Sequence, residues 1–130
     1  MSTSIRAKKI AFTFDCPDAG ALAGFYAKLL GWRPEVSPEY PQWAEVLAPE
    51  GEEAGFEISC QSIPDYRAPQ WPTGEVPQQA HLDIYVDSLV EAGELAVSLG
   101  ATKHAVQPSE TGSFVVYLDP VGHPFCFCQA

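Results

Sequence analysis

The feature that most constrains this chain is an internal echo. Asp18–Trp32 reads DAGALAGFYAKLLGW and Asp87–Ala101 reads DSLVEAGELAVSLGA. An offset of 69 positions superimposes Asp18 on Asp87, Gly24 on Gly93, Leu30 on Leu99, Gly31 on Gly100 and Phe56 on Phe125. A repeat of this period predicts two copies of one supersecondary unit in one body. Paired sheets of that kind leave a cleft, which is where a ligand would sit. At 130 residues the whole chain fits a single domain, 1–130.

Each copy reads as strand, helix and three strands. Over Lys9–Cys16 the residues Ile10, Phe12, Phe14 and Cys16 alternate with Ala11, Thr13 and Asp15, the pattern of a half-buried strand. Pro17 stops it, and Asp18 is placed to cap a helix over Ala19–Leu30 whose apolar stripe is Leu22, Phe25, Tyr26, Leu29 and Leu30. Gly31 suits the left-handed residue that ends such a helix. Strands follow at Trp32–Val36, Trp43–Ala48 and Gly55–Gln61. Pro34 marks the first of these as an edge, and the acidic turn Pro49–Ala54 separates the other two. Module one thus covers about 9–61. Residues 62–79 carry four prolines and no periodicity, so they read as a surface connector. Module two, about 80–129, repeats the plan. Its strand is Ala80–Val86, its helix is capped by Asp87 or Ser88 and ends at Gly100, and its further strands are Lys103–Val106, Ser113–Leu118 and Pro124–Gln129. The last two strands are joined by the tight turn Asp119–Gly122.

The more apolar face of each sheet must meet its helix, so the other face is left for function. That face carries Ala11, Thr13, Asp15, Glu57, Ser59 and Gln61 in module one. In module two it carries His81, Asp83, Tyr85, Cys126 and Cys128. Matching the first strands pairs Ala11 with His81 at an offset of 70, whereas the offset of 69 pairs Glu57 with Cys126. The expected ligand-binding set is therefore Glu57, Gln61, His81, Asp83, Tyr85 and Cys126, with Tyr66 and Trp71 of the connector as a lid. Asp15 and Asp83 could recognise a cationic group.

Charge narrows the partners. Seven Lys and Arg against seventeen Asp and Glu give a net charge of −10. Such a surface cannot neutralise phosphates, so no nucleic acid is expected, nor an anionic membrane. No apolar run approaches the roughly 20 residues of a membrane span. The opening MSTSIRAKKIAF lacks the apolar middle of a signal peptide, so the chain is expected in the cytoplasm with Cys16, Cys60, Cys126 and Cys128 reduced.

The phrases FYAKLLGW, HLDIYVDSL, SLGA and DPVGHPFCFC resemble those of the glyoxalase/bleomycin-resistance/dioxygenase, or vicinal oxygen chelate, superfamily. DYRAPQWPTGEVPQQAHLD is similar to a glyoxalase-like subgroup. The resemblance implies an α+β fold of two βαβββ modules, their sheets curling into an open half-barrel around a cleft, and a homodimer that in some relatives exchanges modules. For activity it implies one of two classes. The first is a small-molecule-binding protein that sequesters a ligand, as bleomycin- or antibiotic-resistance members do. The second is a metal-dependent lyase, isomerase or dioxygenase. In the metal-dependent relatives a divalent ion (Zn, Ni, Mn or Fe) is held at four symmetric strand positions. Here these fall on Ala11, Glu57, His81 and Cys126. His81 and Glu57 match the pattern and are the candidate catalytic residues, Cys126 is not the usual ligand, and Ala11 cannot bind metal. His81, Glu57 and Cys126 would be the most complete metal set this alignment allows. The half-empty set favours ligand capture.

Overall fold

The computed structural model describes residues 10–51 and 55–130. Lys9 and the centre of the acidic turn at 52–54 lie outside the described residues. The chain divides into two compact units, one ending at Pro64 and the other beginning at Asp65.

The first unit holds β1 (Ala11–Cys16), α1 (Ala19–Leu30), β2 (Arg33–Val36), β3 (Trp43–Leu47) and β4 (Glu57–Ser62). The sheet order is β1-β4-β3-β2, with β1 parallel to β4 and the other neighbours antiparallel. Local chemistry sets the helix ends. Asp18 Oδ1 accepts the Ala21 N–H at 3.1 Å, and Gly31 takes φ 70° at the C-terminus, where a side chain would be strained. Ser62 Oγ accepts the Ala19 N–H at 2.8 Å, fastening the end of β4 to the start of the helix. On one pleat face of the sheet Ala44, Val46, Ile58 and Cys60 are fully buried. The helix supplies Leu22, Phe25 and Tyr26, and the Tyr26 ring stacks on Phe14 of β1 at 5.5 Å. Each such large side chain contributes roughly 2–3 kcal/mol by leaving water. Pro34 does sit in an edge strand, β2, as its missing N–H requires.

The second unit holds β5 (Leu82–Val86), α2 (Leu89–Ser98), β6 (Thr102–Lys103), β7 (Phe114–Leu118) and β8 (Pro124–Gln129). Its order, β5-β8-β7-β6, repeats the first, again with the first strand parallel to the last. The fold is α+β, two βαβββ modules each built on a mixed four-stranded sheet. Of the two possible caps it is Ser88 that acts, accepting the Glu91 N–H at 3.2 Å. The core is aromatic: Tyr117, Phe125 and Phe127 pack with ring centroids 5.4–5.9 Å apart. Gly93 lets Tyr117 approach α2, since a Cβ there would overlap the phenol oxygen.

One expectation is corrected. β6 ends at Lys103, not Val106. Beyond it the Gln107 side chain takes the place of a strand, donating Nε2–H to Val116 O at 2.8 Å and accepting the Val116 N–H at 2.9 Å. The connector, expected to pack on the surface, is divided unevenly between the units. From Asp65 onward it belongs to the second unit, where Tyr66 Oη donates to Val121 O at 3.0 Å and Gln70 forms an isolated bridge with Pro77.

Candidate functional site

Opposite α2, the second sheet carries a pocket of about 390 Å³. The parallel register of β5 and β8 creates its floor. Asp83 lies beside Cys126 and Tyr85 beside Cys128. On the other side of β8, Val116 lies beside Cys126 and Phe114 beside Cys128. Period-two alternation puts all of these on one face, while Leu82, Ile84, Phe125 and Phe127 take the helix face. The connector adds Trp71 and Gln78, and Pro108 and Pro124 complete the wall. Trp71 is held edge-on to His104 at 5.0 Å between ring centroids.

The polar groups converge. His81 Nε2 stands 3.2 Å from Asp83 Oδ1. One nitrogen, one carboxylate oxygen and one sulfur of His81, Asp83 and Cys126 all lie within 4.8 Å of one another. Burial, then the Asp83 charge, then Cys128 and a hydrogen bond with Asp83 push the Cys126 thiol up to about 12. The Cys128 thiol is raised too, by burial first and Asp83 second. Both groups are therefore protonated at neutral pH, poor nucleophiles that act as apolar wall and weak donors. The Gln78 side-chain oxygen is buried with no hydrogen-bond partner. An orphaned acceptor of this kind costs about 1–3 kcal/mol unless a ligand or solvent group meets it.

Of the residues expected from sequence, His81, Asp83, Tyr85 and Cys126 line this one pocket. Glu57 and Gln61 lie in the first unit, on β4, beside Ala11 and Asp15 of β1. The expected equivalences of Ala11 with His81 and of Glu57 with Cys126 are not kept together by the strands. Ala11 pairs with Glu57 and Thr13 with Ser59, whereas Asp83 pairs with Cys126. With Ala11 matched to His81, Thr13 matches Asp83, and the counterpart of Cys126 is Ser59, which is buried. Glu57 and Ser59 share a face, so a slip of two residues leaves the apolar pattern intact and is invisible to it. Sequence reasoning also missed Gln78, in an aperiodic loop, and Phe114 and Val116. The latter two belong to the continuous apolar run FVVYL, which does not reveal its faces.

The donor chemistry of His81, Asp83 and Cys126 fits a borderline divalent ion such as zinc, with room for an outer ligand. All three donors come from module two. The matched positions of module one, Ala11 and Ser59, add an alkyl group and a neutral hydroxyl.

Two βαβββ modules with parallel outer pairs, one of them bearing a polar cluster in an apolar pocket, define a duplicated α+β class of protein. Residues 11–128 match the family model described as glyoxalase-like domain, and the chain belongs to that family. Similar solved structures show the same fold. A glyoxalase/bleomycin resistance protein/dioxygenase family enzyme from Burkholderia phytofirmans is 17% identical, with 92% of this chain and 95% of that one covered and a TM-score of 0.64. The trypanothione-dependent glyoxalase I of Leishmania major is 17% identical, covering 95% and 87%, at 0.60. A genomically encoded fosfomycin resistance protein from Listeria monocytogenes is 15% identical, covering 100% and 95%, at 0.64. No curated protein matches the chain significantly in sequence.

Proposed function

We propose that this chain is a small-molecule-binding protein of the glyoxalase-like type, taking an organic ligand into the pocket on the second sheet and sequestering it. The carrying observation is the pocket itself. Its walls are apolar and aromatic, and its few polar groups are directed inward, the composition of a ligand site. The partial set of metal-ligand positions supports capture over turnover, and likeness to a resistance protein is consistent with it. The unbridged cysteines suit a cytoplasmic protein, and the family resemblance supports a homodimer, which light scattering would check.

A second reading is a metal-dependent lyase, isomerase or dioxygenase, and the His81, Asp83 and Cys126 cluster favours it. In that case those three side chains would hold the ion, which supplies Lewis acidity toward a substrate oxygen. Asp83 would orient His81, and the apolar wall would exclude water. Elemental analysis and cobalt(II) spectra of metal-replete protein separate the readings. A stoichiometric ion with a sulfur-to-cobalt charge-transfer band, lost in His81→Ala and Cys126→Ser, would overturn the first. No ion, together with fragment-induced NMR shifts at Trp71 and Tyr85, would remove the second.

A further inference from the structure

The pocket's charge inventory is one-sided. Its lining contains no Lys or Arg, and its only basic side chain, His81, directs Nε2 at Asp83. The Cys126 thiol is likewise engaged with the Asp83 carboxylate. The only basic group is therefore already turned to a carboxylate, and what donors remain, on Trp71, Gln78, Tyr85 and Cys128, are neutral. A carboxylate offers about four lone-pair sites, so contacts to one imidazole and one thiol leave Asp83 with capacity. Gln78 Oε1 is buried and unpartnered. An anionic ligand would meet no cation here and would lie against Asp83. A ligand presenting N–H groups would satisfy both acceptors.

The apolar part of the wall points the same way. Trp71, Tyr85 and Phe114 bring three aromatic rings to the same pocket. Aromatic faces carry negative potential and attract cations that approach within about 6 Å. A chain of net charge −10 raises the local concentration of cations over anions before any contact forms.

From this we infer that the ligand is an organic cation, a protonated amine or amidine on an aromatic or aliphatic body. Its N–H groups go to Gln78 Oε1 and Asp83, and its body lies against Trp71 and Phe114. This inference rests on the ligand-binding reading above and deepens it to a chemical class.

Three matched probes test it by two-dimensional NMR titration of the full chain, with a chelator present: 2-naphthylmethylammonium, the neutral 2-naphthylmethanol and 2-naphthoate. The ammonium is expected to bind roughly tenfold or more tightly than the carboxylate, the equivalent of one charge-assisted hydrogen bond, with shifts at the Trp71 indole. Asp83→Asn and Gln78→Leu should each erase most of that preference, with the amide cross-peaks away from the pocket unshifted relative to the native chain. That control separates loss of recognition from loss of fold. Equal or tighter binding of the naphthoate would overturn the inference while leaving ligand binding intact. So would a preference that survives both substitutions. If none of the three probes shifts pocket residues, the binding reading falls and the inference with it.

Discussion

Gly93→Ala is the substitution whose outcome the geometry fixes most sharply, because two effects of opposite sign compete there. Gly93 lies inside α2, where alanine is favoured over glycine by about 1 kcal/mol through backbone entropy. A helix in isolation would thus gain from the change. In the folded unit the new Cβ would overlap Tyr117 Oη and stand 3.1 Å from Cζ. The phenol cannot swing aside. Its ring is buried, stacked on Phe125 at 5.9 Å and edge-on to Phe127 at 5.5 Å. Overpacking of a core costs about 1–3 kcal/mol, and less the helix gain the net effect is a loss of about 0–2 kcal/mol. At this chain length that lowers the melting midpoint by up to roughly 8 °C. In a Tyr117→Phe background the oxygen is gone and the remaining 3.1 Å approach asks the ring to give only slightly. There Gly93→Ala should be neutral or stabilising. Urea and thermal unfolding of the four proteins, read by circular dichroism, complete the cycle. A stabilising Gly93→Ala in the native background would refute the reasoning. So would an equal loss in both backgrounds.

Three further outcomes follow from the second unit. Cys126 should resist iodoacetamide at pH 8 in the metal-free protein while denatured protein reacts quickly, and Asp83→Asn should speed its labelling, read by mass spectrometry. Because burial chiefly raises this thiol above its ordinary 9.0 to about 12, its stabilising contribution is complete below pH 9. It is lost as pH climbs from 9 toward 12, since the unfolded chain releases the proton first. Alkaline unfolding should therefore shift upward in pH on Cys126→Ala, and no shift would argue against a buried thiol. Asp119, almost wholly buried, accepts the Val121 and His123 N–H groups at 3.0 and 2.9 Å. Asp119→Ala should cost roughly 2–3 kcal/mol, against about half that if the turn holds by backbone bonds alone.

What could be read from the amino acids alone was whatever depends on near neighbours or on pleat parity. Asp18 and Gly31 announce the ends of α1 because caps are local chemistry. The alternation of β1 and β5 assigns faces correctly, so His81, Asp83, Tyr85 and Cys126 fall on one side. Quantities that need a partner strand were hidden. With Ala11 matched to His81, the two-residue slip that makes Ser59, not Glu57, the counterpart of Cys126 preserves every face and leaves no trace in the pattern. That Asp83 joins His81 and Cys126 depends on how β5 lies along β8. Gln107 standing in for a strand, and Gln78 entering the pocket, come from loops whose composition is merely polar.

The connector has a consequence for how such a protein diversifies. Tyr66 pins it to the turn before β8, and the Gln70–Pro77 bridge closes it on itself, with Trp71 and Gln78 carried on or next to that closed stretch. Two of the eleven residues that line the pocket, Trp71 and Gln78, thereby sit on a separable cassette, and the strands that bear most of the rest need not change when it does. A lineage could retune selectivity by exchanging a dozen residues between two fixed clasps, without disturbing the β-scaffold beneath.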